Sequence, residues 1–230
     1  EECCQATAAG SPWGACLGEV YALCCDGLSE EADAAVRRAK GGNRGTLSAL
    51  LDLNWVRALV DFTRVYQPAH KFLRDPDWLR ANFGNTTFLR FPLNQKVFAR
   101  VLLSYPWLVD RDENLFQQFS FSGRAGAYEI ETACARVVYD QHRLQSYGPP
   151  VVGITSMNAH GAESICDPGE AVEFCRATGI QLLVHNEQSQ RMGSYPIVSV
   201  GSESSILERE GNRLAEYVLS LLPGMRRKEE

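Results

Sequence analysis

In the second half of the chain, short apolar runs alternate with amphipathic segments, the pattern of strands separated by helices. The apolar runs predict strands at 86–91, 117–123, 149–157, 180–188 and 195–201. The segments between and after them predict helices at about 93–104, 128–145, 167–179 and 204–224. Strands of near-continuous apolar character that alternate with helices favour a parallel sheet covered on both faces. We therefore predict an α/β fold with a mostly parallel, Rossmann-like sheet and helices on both faces.

The first 83 residues show helical spacing instead and predict helices at about 14–25, 29–39 and within 46–83. Ser29 can cap the second of these, with Glu30 and Glu31 in its first turn. The segment 40–45 has glycine and lysine, but not in the order of a phosphate-binding P-loop, and it predicts a flexible loop. These patterns predict two regions, a helical, cysteine-rich N-terminal region over 1–83 and an α/β domain over 84–230.

The charge balance is mildly acidic, with 23 basic and 28 acidic residues and a net charge of −5. This argues against a surface that attracts nucleic acid everywhere, since such binding rests on phosphate neutralisation. A local basic stripe that binds RNA or DNA, or docking onto a protein partner, both stay open. No apolar run approaches the roughly 20 residues that span a bilayer, so we expect no membrane partner and an intracellular location in an unspecified compartment.

Cysteine use is uneven along the chain. Buried thiols are the preferred interpretation, because free cysteine behaves as a small apolar residue and the chain is long enough to build a core. Disulfides come second and zinc a distant third, since no C-x-x-C occurs and no histidine precedes His70. The five cysteines whose role and redox state the sequence leaves open are Cys3, Cys4, Cys16, Cys24 and Cys25.

Candidate chemistry lies where the predicted strands end, because open parallel sheets bind ligands outside the carboxyl ends of their strands. His160 and His185 are the two histidines at these ends. Neither belongs to a recognisable catalytic motif. A structural role is the preferred interpretation for both, and a small-molecule enzyme using either as acid or base is an alternative.

The order of elements and several turn sequences resemble the second RecA-like lobe of superfamily 1 helicases, the group that includes the nonsense-mediated-decay helicase. The resemblance covers about 85–205 and rests on 89–92, 128–133, 152–160 and 185–200. It implies a RecA-like sheet in which Arg90 and Gln190 lie near nucleotide. The residues that it implies near nucleic acid are Thr155, Asn158, His160, His185 and Glu187.

The family's nucleotide-hydrolysing parts are not recognisable in this sequence. No Walker A or Walker B sequence occurs, and the arginine-finger segment has no counterpart at 210–215. Phosphoryl transfer depends on those parts, so enzyme activity is uncertain and not expected of the chain alone. The function predicted is a non-catalytic, helicase-like module, a pseudoenzyme that binds nucleic acid or protein as a subunit of a larger assembly. No cofactor is expected, except ATP if another segment supplies a P-loop lobe, as in the alternative of a true helicase whose motor lobe is missing.

Overall fold

The computed structural model describes residues 1–16, 20–42, 48–51, 56–83, 87–94, 96, 116–121, 127–142, 152–185 and 194–228. Its helices, in chain order, are α1 (Glu2–Ala8), α2 (Glu30–Lys40), α3 (Val56–Leu59), α4 (His70–Leu73), α5 (Pro76–Phe83), α6 (Ala127–Gln141), α7 (Pro168–Thr178) and α8 (Ala215–Ser220). Two 3-10 turns occur at Phe62–Arg64 and Gln67–Ala69. The strands are β1 (Trp13–Cys16), β2 (Tyr21–Asp26), β3 (Ser48–Leu51), β4 (Phe88–Pro92), β5 (Phe116–Phe121), β6 (Val152–Ser156), β7 (Leu183–Val184), β8 (Ile197–Val200), β9 (Ser205–Arg209) and β10 (Arg226–Arg227).

The chain folds into two compact units, each assembled from separated segments. Unit 1 comprises Glu1–Leu50, Ala125–Gln145 and Pro150–Ser194, and unit 2 comprises Leu51–Arg124, Ser146–Pro149 and Tyr195–Glu230. Unit 1 therefore combines residues from both sides of the boundary expected at 83 and 84, and the division does not coincide with that boundary.

Unit 1 contains the strands in the order β3–β6–β2–β1–β7. The neighbours β3–β6, β6–β2 and β2–β1 are antiparallel, and β1–β7 are parallel. On one face of β2, Tyr21, Leu23 and Cys25 pack against α2 and α7. The opposite face carries α1 and α6, so helices cover this sheet on both sides.

Unit 2 contains the strands in the order β10–β9–β8–β4–β5. Parallel pairs (β10–β9 and β8–β4) alternate with antiparallel pairs (β9–β8 and β4–β5). The predicted α/β class is confirmed. The strand directions, however, differ from the mostly parallel sheet expected, because most described pairs of unit 1 are antiparallel and those of unit 2 are divided equally.

Several predicted elements are confirmed where the local signal was strong. In α2, Ser29 Oγ accepts a hydrogen bond from Ala32 N at 3.2 Å. In α7, Asp167 accepts from the backbone N–H groups of Gly169 and Glu170, Pro168 opens the helix and Gly179 ends it with φ of 74°. The predicted strands that overlap β4, β5, β6, β7 and β8 are also present, whereas most of the helix expected over 93–104 lies outside the described residues.

The helix predicted over 14–25 is wrong, because β1 and β2 form an antiparallel pair there. Every residue of both strands is buried, so the segment has no polar face to mark its period. A continuous apolar run fits a strand covered on both faces as well as it fits a helix. Likewise, β3 interrupts the helical stretch expected from residue 46, and β9 replaces the first part of the helix expected over 204–224.

The cysteines of the N-terminal region are buried thiols, as preferred from the sequence. Cys3, Cys16, Cys24 and Cys25 are buried and Cys4 is half-buried, and none of the five is in a disulfide. Among the described helices, none has both the length and the apolar character to cross a membrane.

Candidate functional site

Lys40 is the last residue of α2, and the fold buries it at the edge of unit 1. α2 turns its apolar side, including Ala32 and Val36, toward the core under β2. Gly41 then ends the helix in the left-handed conformation, with φ of 68°. Only 6% of the surface of Lys40 is accessible to solvent, although lysine is rarely buried without a partner.

The Lys40 ammonium is held by two neutral oxygen atoms just after β6. Its Nζ donates to the backbone oxygen of Ser156 at 2.5 Å and to Oδ1 of Asn158 at 2.6 Å. Within the described part of the chain, no carboxylate forms an ion pair with Lys40. Burial without a compensating charge lowers the pKa of Lys40 from its ordinary range to about 8.

The turn that follows β6 is held in one shape by its own hydrogen bonds. Ser156 Oγ donates to Asn158 Oδ1 at 2.7 Å, and Asn158 Nδ2 donates to the oxygen of Ala162 at 2.6 Å. Asn158 therefore offers an oriented oxygen to Lys40 instead of a mobile amide. His160 N also donates to the backbone oxygen of Lys40 at 2.8 Å, which fastens the turn to the end of α2.

Gly42 allows α2 and this turn to approach each other closely. A Cβ atom at residue 42 would lie 2.9 Å from both Cβ and Cγ of His160, closer than nonbonded carbons come. Since both atoms belong to the rigid base of the His160 side chain, a larger residue at position 42 would push the turn away. We call the surface formed by Lys40, Gly42, Ser156, Asn158 and His160 the Lys40 site.

Tyr21 and His185 form a second polar contact next to the same turn. The Tyr21 hydroxyl and His185 Nδ1 form a short hydrogen bond, and their rings stack with centroids 6.1 Å apart and planes 7° apart. Tyr21 is buried and His185 exposed. The backbone oxygen of Tyr21 accepts from Met157 N at 2.8 Å, and Met157 lies between the two residues that hold Lys40.

The structure brings together some of the residues suggested by the sequence and separates others. Asn158 and His160 lie in the Lys40 site, and His185 contacts Tyr21 beside it. Thr155 lies in β6 opposite Leu23 of β2, on the strand that leads into the turn. Glu187 and Gln190 lie outside the described residues.

Arg90 belongs to unit 2 and not to this site. It lies in β4, and its Nη1 donates to Glu208 Oε2 of β9 at 2.5 Å. Ser199 of β8 also hydrogen-bonds that carboxylate through Oε1. The observed role of Arg90 is an ion pair that reaches across β8 and links β4 to β9.

Sequence reasoning missed Lys40 and Tyr21. Lys40 was assigned to a flexible loop and Tyr21 to an apolar helix. Neither assignment predicted a hydrogen bond to the Lys40 ammonium or to the Tyr21 hydroxyl. The one local signal was the lysine followed by Gly41 and Gly42 at the end of a well-capped helix. Nothing local could have paired it with Ser156 and Asn158, which lie more than a hundred residues further along the chain.

Comparison with solved structures identifies the fold. Sua5 of P. abyssi superposes with a TM-score of 0.64 at 14% identity over 98% of this chain, and the same protein complexed with L-threonine gives 0.65 at 13%. E. coli YciO matches over 95% of this chain and 91% of its own, with a TM-score of 0.64 at 12% identity. Full-length HypF in its phosphate- and nucleotide-bound form matches over 90% of this chain, with a TM-score of 0.56 at 14% identity.

No protein-family model and no curated protein matches this sequence. The chain spans 60% and 57% of the two Sua5 chains and 28% of HypF, so this fold also occurs as one part of longer proteins.

The chain therefore has a Sua5-like fold, and the inferred likeness to a helicase lobe is wrong. The helicase assignment rested on the order of strands and helices and on short turn sequences. Its expected sheet was mostly parallel, whereas β2 pairs antiparallel with both of its neighbours. The pseudoenzyme and helicase descriptions, and the nucleotide and nucleic-acid roles drawn from them, lose their basis with it.

Proposed function

We propose that this chain is a Sua5-like domain that binds a small anionic ligand, the phosphate group of a nucleotide, at the Lys40 site. The observation that supports this most is the burial of the Lys40 ammonium against two neutral oxygens, with no carboxylate ion pair among the described residues. A buried charge is costly unless it is paired.

The donor count of Lys40 fits an incoming anion. An ammonium group has three N–H donors, and Ser156 and Asn158 accept two of them. A phosphate oxygen would accept the third and supply the negative charge that the two neutral oxygens lack. Charge-assisted hydrogen bonds of this kind are roughly twice as strong as neutral ones.

The solved relatives support a polar small molecule as the ligand. Sua5 has been crystallised with L-threonine and HypF with phosphate and nucleotide. We extend these ligand classes to the present chain, with ATP as the first probe and L-threonine as the second. Gly42 and the turn after β6 would then bring backbone amides and the Asn158 side chain close to the ligand.

The lowered pKa of Lys40 provides the test of this proposal. Without ligand, Lys40 is half protonated at about pH 8. An anion favours the charged form and raises this pKa. ATP binding should therefore take up protons near pH 8, with uptake growing from about pH 7 to about pH 9 as more of the free protein is deprotonated.

Isothermal titration calorimetry in buffers of different ionisation enthalpy measures this uptake directly. Inorganic phosphate is the matched probe, because it shares the anion but not the nucleoside. Binding of ATP without proton uptake across this range would place the phosphates away from Lys40. No binding of ATP or phosphate would reject the proposed function.

RNA is a second and larger candidate ligand. The last turn of α2 carries Arg37, Arg38 and Lys40, of which Arg38 is exposed and Arg37 pairs with Asp33 at 2.6 Å. Filter binding of single-stranded RNA with a salt titration tests this candidate. We expect the affinity for RNA to fall as the salt concentration rises, because phosphate contacts release counterions. An affinity that does not change with salt would exclude RNA as the ligand.

A further inference from the structure

The thiols of Cys4 and Cys134 face each other between two helices of unit 1. Gln141 of α6 donates to the backbone oxygen of Ala8 in α1 at 2.7 Å, which joins the C-terminal ends of the two helices. Cys4 lies one helical turn before Ala8, and Cys134 lies two turns before Gln141. With 3.6 residues per turn, each cysteine falls on the same side of its helix as the residue in that contact.

The environment of Cys134 confirms this placement. Its thiol lies within hydrogen-bond reach of the side chains of both Cys4 and Thr7. Thr7 is itself oriented, because its hydroxyl donates to the oxygen of Cys3 at 2.8 Å and accepts from Trp13 Nε1 at 3.1 Å. Cys134 therefore has a defined position opposite Cys4.

The two thiols differ in access to solvent. Cys134 is fully buried, whereas Cys4 is half-buried. Burial raises the pKa of the Cys134 thiol to about 12, so that it remains protonated at neutral pH and reacts poorly with a dissolved oxidant. A dissolved oxidant therefore reacts with the Cys4 thiol before it reaches the Cys134 thiol.

We propose that Cys4 and Cys134 are an oxidisable pair that forms a reversible disulfide between α1 and α6 in the presence of a hydroperoxide. The Cys4 thiolate attacks the peroxide oxygen, the O–O bond breaks, and Cys4 becomes a sulfenic acid while the peroxide leaves as an alcohol or water. Cys134 sulfur then attacks Cys4 sulfur. The S–O bond breaks, and the hydroxide leaves with the Cys134 proton as water.

The structure requires only a small adjustment for this bond. A disulfide needs about 2.05 Å between sulfurs, so the contact between Cys4 and Cys134 must shorten as the bond forms. α1 has only seven residues, and no side chain caps its N-terminus, so its first turn can shift at low cost. A thiol or dithiol reductant restores the starting state by exchange.

Oxidation of the full chain by hydrogen peroxide tests the pair. Thiols are counted in denaturant before and after treatment, and bridged peptides are identified by mass spectrometry without reduction. We expect two of the eight thiols to be lost, a peptide linking Cys4 to Cys134, and recovery of both thiols with dithiothreitol. A vicinal Cys3–Cys4 bridge, or accumulation of Cys4 as sulfinic acid, would overturn the proposal.

Two variants separate this pair from general thiol oxidation. Cys4→Ser changes a half-buried side chain and should remove the bridge and leave Cys134 reduced. Cys166→Ser is the matched control, because Cys166 is also half-buried but lies elsewhere in unit 1, and the bridge should form as in the unchanged chain. Equal loss of the bridge in both variants would contradict the assignment.

Discussion

Replacing Lys40 by methionine should weaken ATP binding by about 100-fold while the protein stays folded. Methionine fills a similar volume but carries no charge and no donor. The loss of one charge-assisted hydrogen bond in a buried site corresponds to about 3 kcal/mol, which is roughly 100-fold in Kd. Calorimetry with ATP measures the change, and proton uptake near pH 8 should vanish with it.

The folded state should tolerate Lys40→Met, because replacing a buried charge by an apolar side chain is often neutral or stabilising. Ser156 and Asn158 would each lose one donor, which offsets part of that gain. Lys71→Met is the matched control, since Lys71 is exposed and lies over the ring of Phe72 in unit 2. An affinity for ATP that is unchanged in Lys40→Met, or equally reduced in Lys71→Met, would show that the ligand does not depend on the Lys40 site.

Trp13→Ala should be the most damaging change to unit 1, lowering its free energy of unfolding by about 3–5 kcal/mol. Trp13 is completely buried in β1, and its indole N–H donates to the buried Thr7 of α1. The substitution therefore opens a large cavity and also removes a contact that orients α1. Urea unfolding followed by far-UV circular dichroism measures the change.

A second variant at position 13 separates the cavity from the lost hydrogen bond, and an exposed aromatic residue provides the control. Trp13→Phe keeps much of the apolar volume and loses the N–H donor, which should cost about 1 kcal/mol beyond the volume change. Tyr217→Ala removes an aromatic side chain that is 49% exposed and should change stability by less than about 0.5 kcal/mol. A small effect of Trp13→Ala would mean that the region around β1 collapses to fill the space.

Local signals predicted those elements that are stabilised by their own residues. α2 and α7 begin at capping side chains and end at glycines with positive φ, and these features act within one or two turns of the chain. β4, β6 and β8 stood out as short apolar runs between turn residues. In such segments, neighbours in the sequence contain most of the information that decides the element.

The errors fall where local spacing cannot distinguish two structures. β1 and β2 are buried on both sides, so their apolar run matched a helix equally well. β9 follows β8 after a tight turn in which Gly201 N donates to the oxygen of Ser204, and its alternation is only five residues long. These short elements become strands because a neighbouring strand accepts their hydrogen bonds.

The candidate site likewise contains some residues that the sequence indicated and one, Lys40, that it could not indicate. His160 and His185 were selected because polar residues that follow strands gather at the edge of a sheet. That argument does not depend on the helicase resemblance, although strand direction and family were both misjudged. Lys40 could not be selected, since its two acceptors are separated from it by 116 and 118 residues.

The amino-acid sequence by itself determined the α/β class and the well-capped helices α2 and α7. These properties follow from local propensity, capping and apolar content. Only the tertiary structure decided the strand directions, the Sua5-like fold and the position of Lys40 against the turn after β6. Each of these depends on pairing between distant segments, and the free energy of such pairing comes from burial and hydrogen bonds that no single segment contains.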